Sequence, residues 1–441
     1  MLIDPADCWA YGYDNSRLQA QPDAVVLAGT HEQVAAVVRL CNEAGVPLVA
    51  RGRGTGTTGA TVPVRGGVVL SLERMSRILA IEPLDRIARV EPGVTNQALQ
   101  DAVAAHGFFW PPDPTSAAVC TIGGNLACNA AGPRAVKYGT TRDNTLGLRA
   151  VTGGGEEIRT GVMTTKGVVG YDFTRLLIGS EGTLAVITEA TLKLTPLPEA
   201  RHTLQATYRS VGAAAAAVSA IMAGTVTPCA LGLVDRGAID MIRGYQDLGL
   251  GDEVSALLMI EVDGPRHGLD EAADAVAAAA AVDGLVGIAR ASTAAAARDL
   301  WRARRALSPA LRNVAPKKIN EDVVVPVSRI PALIDGLGEL AARHGITVVN
   351  FGHAGNGNIH VNLLIDPNDA DELARAERCL DGAFDLVLRL GGTLSGEHGI
   401  GLVKRDFVRR EIDPVTLRLM RDVKRQFDPK GILNPDKSLP D

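Results

Sequence analysis

The sequence predicts an α+β fold made of two domains and a C-terminal segment. The chain of 441 residues is long enough for two to three domains, each with its own core. Short apolar runs alternate with helical segments over the first 200 residues, whereas alanine-rich helices lie between strand-like runs beyond that point. The proline-bearing segment TPLPEA, residues 195–200, separates the two patterns. We therefore divide the chain into residues 1–197, residues 198–400 and residues 401–441, and we expect the last segment to return to the first domain.

Hydrophobic periodicity gives the elements of the first domain in order. Residues 32–44 have the spacing of an amphipathic helix, and Gly45 follows as a C-cap. A strand is predicted over residues 46–50, immediately before the glycine-rich stretch RGRGTGTTG. Further strands are predicted at 67–72, 87–90 and 184–194.

The same reasoning applies to the rest of the chain. Helices are predicted over residues 211–223 and 271–282, and a strand is predicted over residues 256–262. A last helix is predicted over residues 402–411, after the motif SGEHGIG.

Composition and charge exclude several classes of protein. The net charge of −5 and the pI near 6.0 give no electrostatic basis for binding nucleic acid. The six cysteines are scattered without a CxxC pair, which argues against a disulfide framework or an iron–sulfur cluster. The N-terminus does not have the pattern of a secretion signal, and no apolar run reaches the roughly 18 residues of a membrane span. We expect a cytoplasmic protein, with peripheral membrane attachment left open.

The glycine-rich loop matches the dinucleotide fingerprint GxGxxG through Gly54, Gly56 and Gly59. A Rossmann fold would need a crossover helix between Gly59 and the next strand, but only ATVPVRGG lies there. We therefore reject the Rossmann interpretation. What remains is a loop rich in backbone N–H groups that suits a pyrophosphate, or else a glycine-rich hairpin without a ligand.

Four further clusters of glycine, hydroxyl and amide groups lie in the same domain: PDPTS, TIGGN with NAAG, KYG and GSEGTL. Together they could satisfy a long polar cofactor. RGRGTGTTG, DPTSAAVCTIGGNLACNAAG, KYG and GSEGTLAVITEATLKL resemble, in order and spacing, the FAD-binding domain of the vanillyl-alcohol-oxidase and p-cresol-methylhydroxylase superfamily. The resemblance covers about residues 18–197. It implies an FAD-binding domain of two subdomains, followed by an α+β substrate (cap) domain with an antiparallel sheet.

This resemblance also implies which residues hold the flavin. The first loop would cradle the pyrophosphate and the later clusters would line the rest of the FAD. The first loop contains no histidine, so we expect non-covalent binding. The predicted FAD contacts are Arg51, Gly52, Arg53, Gly54, Thr55, Gly56, Thr57, Thr58, Gly59, Pro112, Asp113, Thr115, Ser116, Thr121, Gly123, Gly124, Asn125, Ala127, Tyr138, Gly139, Glu181, Gly182, Ile187 and Asn434.

Three histidines and a glutamate form a second constellation. His353 and His360 bracket AGNGNI, and the glycines there could bend the chain so that both imidazoles face one point. Glu397 and His398 stand together in SGEHGIG. Two imidazoles and a carboxylate make an open site for a divalent ion, and a further histidine could act as a base. The alternative is a pair of histidines hydrogen-bonded within a tight loop.

GHAGNGNIH, SGEHGIG and FDPKGILNPDK, with INEDVVVP upstream, resemble the C-terminal domain of FAD-linked oxidases, a family that includes glycolate oxidase catalytic subunits and the D-lactate and D-2-hydroxyglutarate dehydrogenases. The resemblance makes His353, His360 and Glu397 ligands of zinc or manganese and His398 the catalytic base. It also implies an arginine for the substrate carboxylate, mapped to Arg304. A solvated helix face remains the alternative for the cluster around Arg304. Relatives that act on a dicarboxylate carry a lysine near the position of Asn320, and here Lys317 and Lys318 lie slightly upstream, so recognition of a second carboxylate is left open.

These expectations give a function: oxidation of a small D-2-hydroxy acid, D-lactate or glycolate being favoured, with hydride transfer to FAD. Because no iron–sulfur cysteines are present, electrons would leave to a separate acceptor: a quinone, a cytochrome, an electron-transfer flavoprotein or a partner subunit. D-2-hydroxyglutarate oxidation and a flavin-binding subunit of a glycolate oxidase complex are the alternatives. A homodimer and reoxidation by oxygen are left open.

Overall fold

The computed structural model describes residues 1–440 except 245, 246, 248, 292, 302–306 and 308–314. It divides into two compact units. Unit 1 comprises Met1–Gly132, Gly139–Leu197 and Glu397–Asp441, and unit 2 comprises Pro133–Tyr138 and Pro198–Gly396. The sequence places boundaries after residues 197 and 400, whereas the units divide after Leu197 and Gly396. The short excursion of residues 133–138 into unit 2 has no signal in the sequence.

Unit 1 contains a parallel sheet in the order β1-β3-β2. The helix α2 packs against this sheet. The side chain of Thr30 caps its N-terminus by accepting from the N–H of Gln33, and Gly45, with a φ of 66°, ends it. The helix buries Val34, Val38 and Cys41 against the sheet in one apolar core. Between β2 and β3 the described chain runs as a loop without a helix, which agrees with rejection of the Rossmann fold. The elements up to this sheet are α1 (Pro5–Trp9), β1 (Ala24–Leu27), α2 (His31–Ala44), β2 (Leu48–Arg51) and β3 (Val68–Ser71).

A second part of unit 1 is built on an antiparallel sheet in the order β4-β5-β9-β7-β8. Its core includes the fully buried Trp110, whose indole N–H donates to the Asn144 carbonyl at 3.0 Å. A short pair of strands, β6 and β10, joins Phe108–Phe109 to Thr195–Pro196. The elements are β4 (Ile78–Glu82), β5 (Ile87–Val90), α3 (Asn96–Ala104), β6 (Phe108–Phe109), α4 (Ile122–Cys128), β7 (Thr145–Thr152), β8 (Glu157–Gly161), α6 (Phe173–Leu177), β9 (Ala185–Lys193) and β10 (Thr195–Pro196).

The C-terminal segment packs on the rest of unit 1. The N–H of Leu48 donates to the Ile432 carbonyl at 2.8 Å, and the N–H of Asn434 donates to the Leu48 carbonyl at 2.7 Å. Ile432 and Leu433 are buried in the core beside the parallel sheet. This segment carries a 3₁₀ turn (Arg405–Phe407), α13 (Val408–Glu411) and α14 (Pro414–Phe427). The helix predicted over residues 402–411 therefore begins three residues late, as a 3₁₀ turn at Arg405, and it ends at Glu411 as predicted.

Unit 2 is built on an antiparallel sheet in the order β14-β11-β13-β12-β16-β17-β15. The interior strand β13 is buried over almost its whole length, and its first five residues, Ala256–Ile260, are all apolar. The strands are β11 (Ala200–Tyr208), β12 (Ala230–Val234), β13 (Ala256–Gly264), β14 (Leu285–Ala291), β15 (Lys317–Val324), β16 (Thr347–His353) and β17 (Asn358–Ile365).

Helices of unit 2 connect and cover these strands. Alanine has the highest helix propensity, and it makes up much of α7. The buried side of this helix includes Ala214, Ala217 and Val218. The predicted helices 211–223 and 271–282 match the observed α7 and α9 to within two residues at each end. The helices are α5 (Ala135–Tyr138), α7 (Val211–Met222), α8 (Arg236–Arg243), α9 (Leu269–Ala280), α10 (Ala294–Leu300), α11 (Ile330–His344) and α12 (Ala370–Arg389), with 3₁₀ turns at Val327–Arg329 and Ala354–Asn356.

Candidate active site

A cavity of about 480 Å³ opens within unit 1. It is bounded by the glycine-rich loop after β2, by the chain around α4, by the turn before β9 and by the loop that precedes α13. A volume of this size lies in the usual range for cofactor sites. Seventeen of the predicted FAD contacts line it: Arg51, Gly52, Arg53, Gly54, Thr55, Gly56, Thr57, Thr115, Ser116, Thr121, Gly123, Gly124, Asn125, Ala127, Glu181, Gly182 and Ile187.

Close backbone approach explains the glycines of the loop. Gly54 has a φ of 64°, and a Cβ added there would collide with the Arg51 guanidinium. A Cβ at Gly52 would collide with the Thr121 hydroxyl, which also caps α4 at the N–H of Gly124. The loop therefore keeps its backbone open toward the cavity, as a cradle for a phosphate requires.

Buried polar atoms in the wall indicate that the cavity suits a polar ligand. Within the part of the chain that the structure describes, Thr57 Oγ1 and Asp14 Oδ2 are buried and accept or donate no hydrogen bond. Both residues line the cavity. Burial raises the pKa of Asp14 above its usual value, partly offset by the hydrogen bonds from Ser16. A buried polar atom without a partner costs free energy, so a ligand with hydroxyl or amide groups fits this wall.

Arg51 lines the cavity, and its guanidinium is bonded to groups of the protein itself. Its guanidinium donates to the Tyr13 carbonyl at 2.7 Å and to the Thr61 hydroxyl at 3.1 Å, and the side chain is buried. Burial lowers the pKa of Arg51, with Asp14 opposing that shift. Arg51 therefore braces the loop from behind. Asp14 and Asn15, which bonds Gly56 through its backbone N–H, were not predicted, since nothing in the sequence relates this N-terminal turn to the loop.

The remaining predicted FAD contacts lie outside the cavity wall: Thr58, Gly59, Pro112, Asp113, Tyr138, Gly139 and Asn434. The Asn434 side chain donates to the carbonyls of Ala60 and Glu181 at 2.9 and 2.6 Å, so it joins two walls of the cavity. Tyr138 belongs to unit 2, where its hydroxyl lies 2.9 Å from both carboxylate oxygens of Asp263. Burial and the Asp263 charge raise the pKa of Tyr138 well above its usual value.

The predicted base, His398, lines the same cavity together with Glu397. Glu181 holds the loop that carries them. Its carboxylate accepts from the backbone N–H of Ile400 at 2.9 Å, from the N–H of Gly401 at 2.9 Å and from the Ser438 hydroxyl. Burial raises the pKa of Glu181, against the lowering effect of these hydrogen bonds. The loop is also fixed by Thr58, whose carbonyl accepts from the N–H of Leu402 at 2.8 Å.

In unit 2 the two predicted histidine ligands lie on one β-hairpin. His353 ends β16 and His360 lies on β17, and the ladder pairs His353 with Asn358 and Phe351 with His360. The two imidazoles therefore occupy diagonal positions on one face of the sheet, with ring centroids 5.2 Å apart. His360 is buried and His353 is half-buried. Two imidazoles at this separation could share a divalent cation.

The sequence around the predicted substrate arginine is partly outside the described residues, and Arg304 itself lies there. The last residue described before it is Trp301, whose indole N–H donates to Glu261 at 2.8 Å. On β15, the side chain of Asn320 donates to Asn362 at 2.5 Å. Among the described helices, none combines the length and apolarity that a membrane-spanning segment needs.

Two family models match this chain. Residues 197–438 match the model of FAD linked oxidases, C-terminal domain, and residues 22–161 match an FAD binding domain. Glycolate oxidase subunit GlcD of Bacillus subtilis is 39% identical over 97% of this chain and 91% of its own length. GlcD of Escherichia coli is 36% identical over 96% and 85%, and D-lactate dehydrogenase of Anaerostipes hadrus is 35% identical over 95% and 90%.

Solved structures show the same fold at low sequence identity. p-Cresol methylhydroxylase superposes with a TM-score of 0.79 at 19% identity, covering 99% of this chain and 93% of that one. 4-Ethylphenol oxidase from Gulosibacter chungangensis superposes with a TM-score of 0.77 at 20% identity and the same coverage. The predicted fold class and the predicted family are confirmed. The chain belongs to the FAD-linked oxidases, and it is a flavoprotein oxidoreductase.

Proposed function

We propose that this enzyme oxidises a small D-2-hydroxy acid, D-lactate or glycolate, to the corresponding 2-oxo acid. The relatives named for glycolate and D-lactate oxidation match nearly the whole chain, which supports this reaction class. One observation carries the proposal for the site: His398 and Glu397 line the cavity formed by the glycine-rich loop. A base and a carboxylate are therefore available where the flavin would bind.

The cofactor in this proposal is non-covalent FAD. The loop from Arg51 to Gly56 lines the cavity without offering a histidine or cysteine for a covalent bond. Its backbone and the hydroxyl of Thr57 would hold the pyrophosphate, and the residues around α4 and β9 would hold the ring system. FAD, when bound, supplies the two-electron acceptor for the oxidation.

A divalent cation, zinc or alternatively manganese, is the second component. His353 and His360 offer two ligands on one sheet face. Glu397 is the proposed third ligand, and chain connectivity supports it. The preceding residue, Gly396, lies in unit 2 so close to Asn358 that an added Cβ would be 2.5 Å from its amide nitrogen. Asn358 pairs with His353 in the ladder between β16 and β17. Glu397 therefore directly follows, in the chain, a residue that lies against the hairpin. The cation, when bound, supplies a Lewis acid that lowers the pKa of the substrate hydroxyl.

The residues proposed to recognise the substrate favour an acid with a single carboxylate. Arg304 would bind the substrate carboxylate, since a planar guanidinium can hold it bidentately. Asn320 occupies the position near which dicarboxylate-specific relatives carry a lysine, and its side chain is already bonded to Asn362. A neutral amide held in this way offers no charge for a second carboxylate. This favours lactate or glycolate over D-2-hydroxyglutarate, which stays the alternative.

His398 is the proposed base. It would accept the hydroxyl proton of the substrate while the hydrogen at C2 leaves with its electron pair for the flavin, so that the alcohol becomes a carbonyl group. The electrons then need a separate acceptor: a quinone, a cytochrome, an electron-transfer flavoprotein or a partner subunit. The name of the relatives, glycolate oxidase subunit, supports a partner subunit. A flavin-binding subunit without its own chemistry would not need the histidine–glutamate set, which this chain retains.

An anaerobic visible spectrum of the purified protein tests the reaction and its substrate together. The protein is titrated with D-lactate, L-lactate, glycolate and D-2-hydroxyglutarate. We expect D-lactate or glycolate to bleach the flavin band while L-lactate leaves it unchanged. A flavin band that none of these acids bleaches would contradict the proposed reaction.

Substitution of His398 tests the assignment of the base. His398→Ala should retain the flavin spectrum and lose flavin reduction by at least 100-fold, because general-base catalysis contributes about 10²–10⁴-fold. His106→Ala is the matched control, since His106 is an exposed histidine in the same unit. A His398→Ala protein that is reduced as fast as the control would refute the assignment.

A further inference from the structure

Asp322 is a buried carboxylate that the reaction described above does not use. It lies on β15, the edge strand of the unit 2 sheet, with 0% of its surface exposed. Burying a carboxylate costs several kcal/mol unless hydrogen bonds or opposite charges compensate it. The position of this side chain therefore needs an explanation.

Both carboxylate oxygens of Asp322 bond the segment that leads into Glu397. Residues 392–396 run along the edge of β15, where Val324 and Thr393 exchange backbone hydrogen bonds of 3.0 and 2.9 Å. Two residues further along the strand, Asp322 Oδ2 accepts from the backbone N–H of Gly396 at 2.7 Å. Asp322 Oδ1 accepts from the Ser395 hydroxyl at 3.2 Å. The carboxylate thus holds the last two residues before Glu397.

The same residue faces the histidine hairpin. Asp322 is the ladder partner of His360 in the antiparallel pair β15–β17. Side chains of paired residues point to one face of a sheet, with Cβ atoms about 4.5–5.5 Å apart. Asn358, the partner of Val324 and of His353, lies on the same face one pair further along. Asp322 is therefore next to one predicted metal ligand and bonded to the residue before another.

We propose that Asp322 is the positioning residue of a divalent-cation site formed by His353, His360 and Glu397. Its carboxylate sets the backbone from which Glu397 projects, and its charge beside His360 favours a cation there. Carboxylates behind metal-binding histidines commonly fix the ring orientation, and their loss typically reduces metal affinity by 10- to 100-fold. The inference rests on the proposed function, because it requires the metal site.

Metal titration of the flavoprotein, after its metal has been removed, tests this role without measuring activity. The flavoprotein is treated with a chelator, desalted and titrated with Zn²⁺ against a chromogenic competitor, and its FAD content is measured in parallel. Asp322→Asn keeps the size of the side chain and removes the charge, and we expect it to weaken Zn²⁺ binding by 10- to 100-fold. Ser395→Ala removes the hydroxyl that donates to Asp322 but keeps the charge, and it should weaken Zn²⁺ binding by a smaller factor.

Asp235→Asn is the matched control. Asp235 is also a buried aspartate of unit 2, and it accepts from the backbone N–H groups of Ala238 and Asn350 at 2.9 and 2.8 Å. Its substitution reproduces the folding cost of removing a buried carboxylate and should leave Zn²⁺ affinity within about 3-fold. If Asp322→Asn unfolds, Ser395→Ala still tests the hydrogen bond to the carboxylate.

The outcomes separate this inference from the function on which it rests. His360→Ala should abolish stoichiometric Zn²⁺ binding in either case. If His360→Ala loses zinc while Asp322→Asn and Ser395→Ala bind it as the wild type does, Asp322 has no positioning role and the metal site stands. If the wild-type protein binds neither Zn²⁺ nor Mn²⁺ stoichiometrically, both the metal site and the role of Asp322 are refuted.

Discussion

Gly399, directly after the predicted base His398, is a position at which a single methyl group should disturb the active-site loop. Its φ is 85°, in the region that L-residues rarely adopt. A Cβ built there would collide with Oε1 of Glu181. That oxygen accepts from the backbone N–H groups of Ile400 and Gly401 at 2.9 and 3.2 Å. The substitution Gly399→Ala therefore strains the backbone and displaces the carboxylate that holds the loop.

The expected cost is the sum of two effects. A left-handed conformation costs a non-glycine residue about 1–2 kcal/mol. Displacing Glu181 loses at least one hydrogen bond to a charged acceptor, which contributes about 1.5–3 kcal/mol. Gly399→Ala should thus lower the free energy of unfolding by about 2.5–5 kcal/mol, or move the loop and relieve part of this strain. In the second case His398 moves with it, and flavin reduction slows by an order of magnitude or more.

The assay combines denaturant unfolding of the flavoprotein with stopped-flow reduction of the flavin under anaerobic conditions. A double-mutant cycle with Glu181→Ala isolates the collision, since the carboxylate is then absent. In that background Gly399→Ala should cost only the backbone term of about 1–2 kcal/mol. A cost that is equal in both backgrounds would show that Glu181 is not the obstacle. Unchanged stability together with an unchanged reduction rate would refute the reasoning altogether.

Two further predictions concern the cofactor and pH. Thr57→Val should leave the stability of the FAD-free protein nearly unchanged, because Thr57 Oγ1 has no partner among the described residues, yet it should weaken FAD binding by about 2- to 10-fold, measured by flavin fluorescence. Burial raises the pKa of Asp235 to about 6 from its ordinary value of 3.8. Since the folded state then holds its proton more tightly than the unfolded state, the associated stability is present below pH 3.8 and is lost as pH rises through about 6. Unfolding measured from pH 4 to 7 should therefore show wild-type stability falling relative to Asp235→Asn by about 3 kcal/mol or less; a constant difference would contradict the raised pKa.

Local patterns in the sequence predict most of the regular elements. The helix α2 is capped by Thr30 and Gly45, and both signals can be read from residue type alone. The strand over residues 184–194 is observed as Ala185–Lys193. The helix predicted over residues 402–411 is observed only from Arg405 onward, and the loop that precedes it is held by distant partners. The N–H groups of Ile400 and Gly401 go to Glu181, more than 200 residues away in the chain. Such long-range competition has no local signature.

The residues that line the cavity also fall into two groups: those that the sequence pattern predicts and those that it does not. Glycines and hydroxyls that lie within one loop follow from the sequence pattern, and most of the predicted set does line the cavity. Asp14 does not follow from it, because its place depends on the N-terminal turn bonding to Gly56 across 41 residues. Arg51 also lines the cavity, but its guanidinium bonds the Tyr13 carbonyl and the Thr61 hydroxyl. Residue type predicts which groups are available, and packing decides which way they face.

The histidine pair shows how strand register can overturn a simple spacing argument. Seven residues apart on one strand would place two side chains on opposite faces, since the period is two. The chain instead reverses over Ala354–Gly357, where Gly357 has a φ of 75° and a Cβ would collide with the Val325 carbonyl. The reversal pairs His353 with Asn358, and Asn358 shares its face with His360, two residues further on. A turn longer or shorter by one residue would shift this register and send one imidazole to the far side of the sheet. The glycine at position 357 therefore determines the geometry of the predicted metal ligands, although it is not one of them.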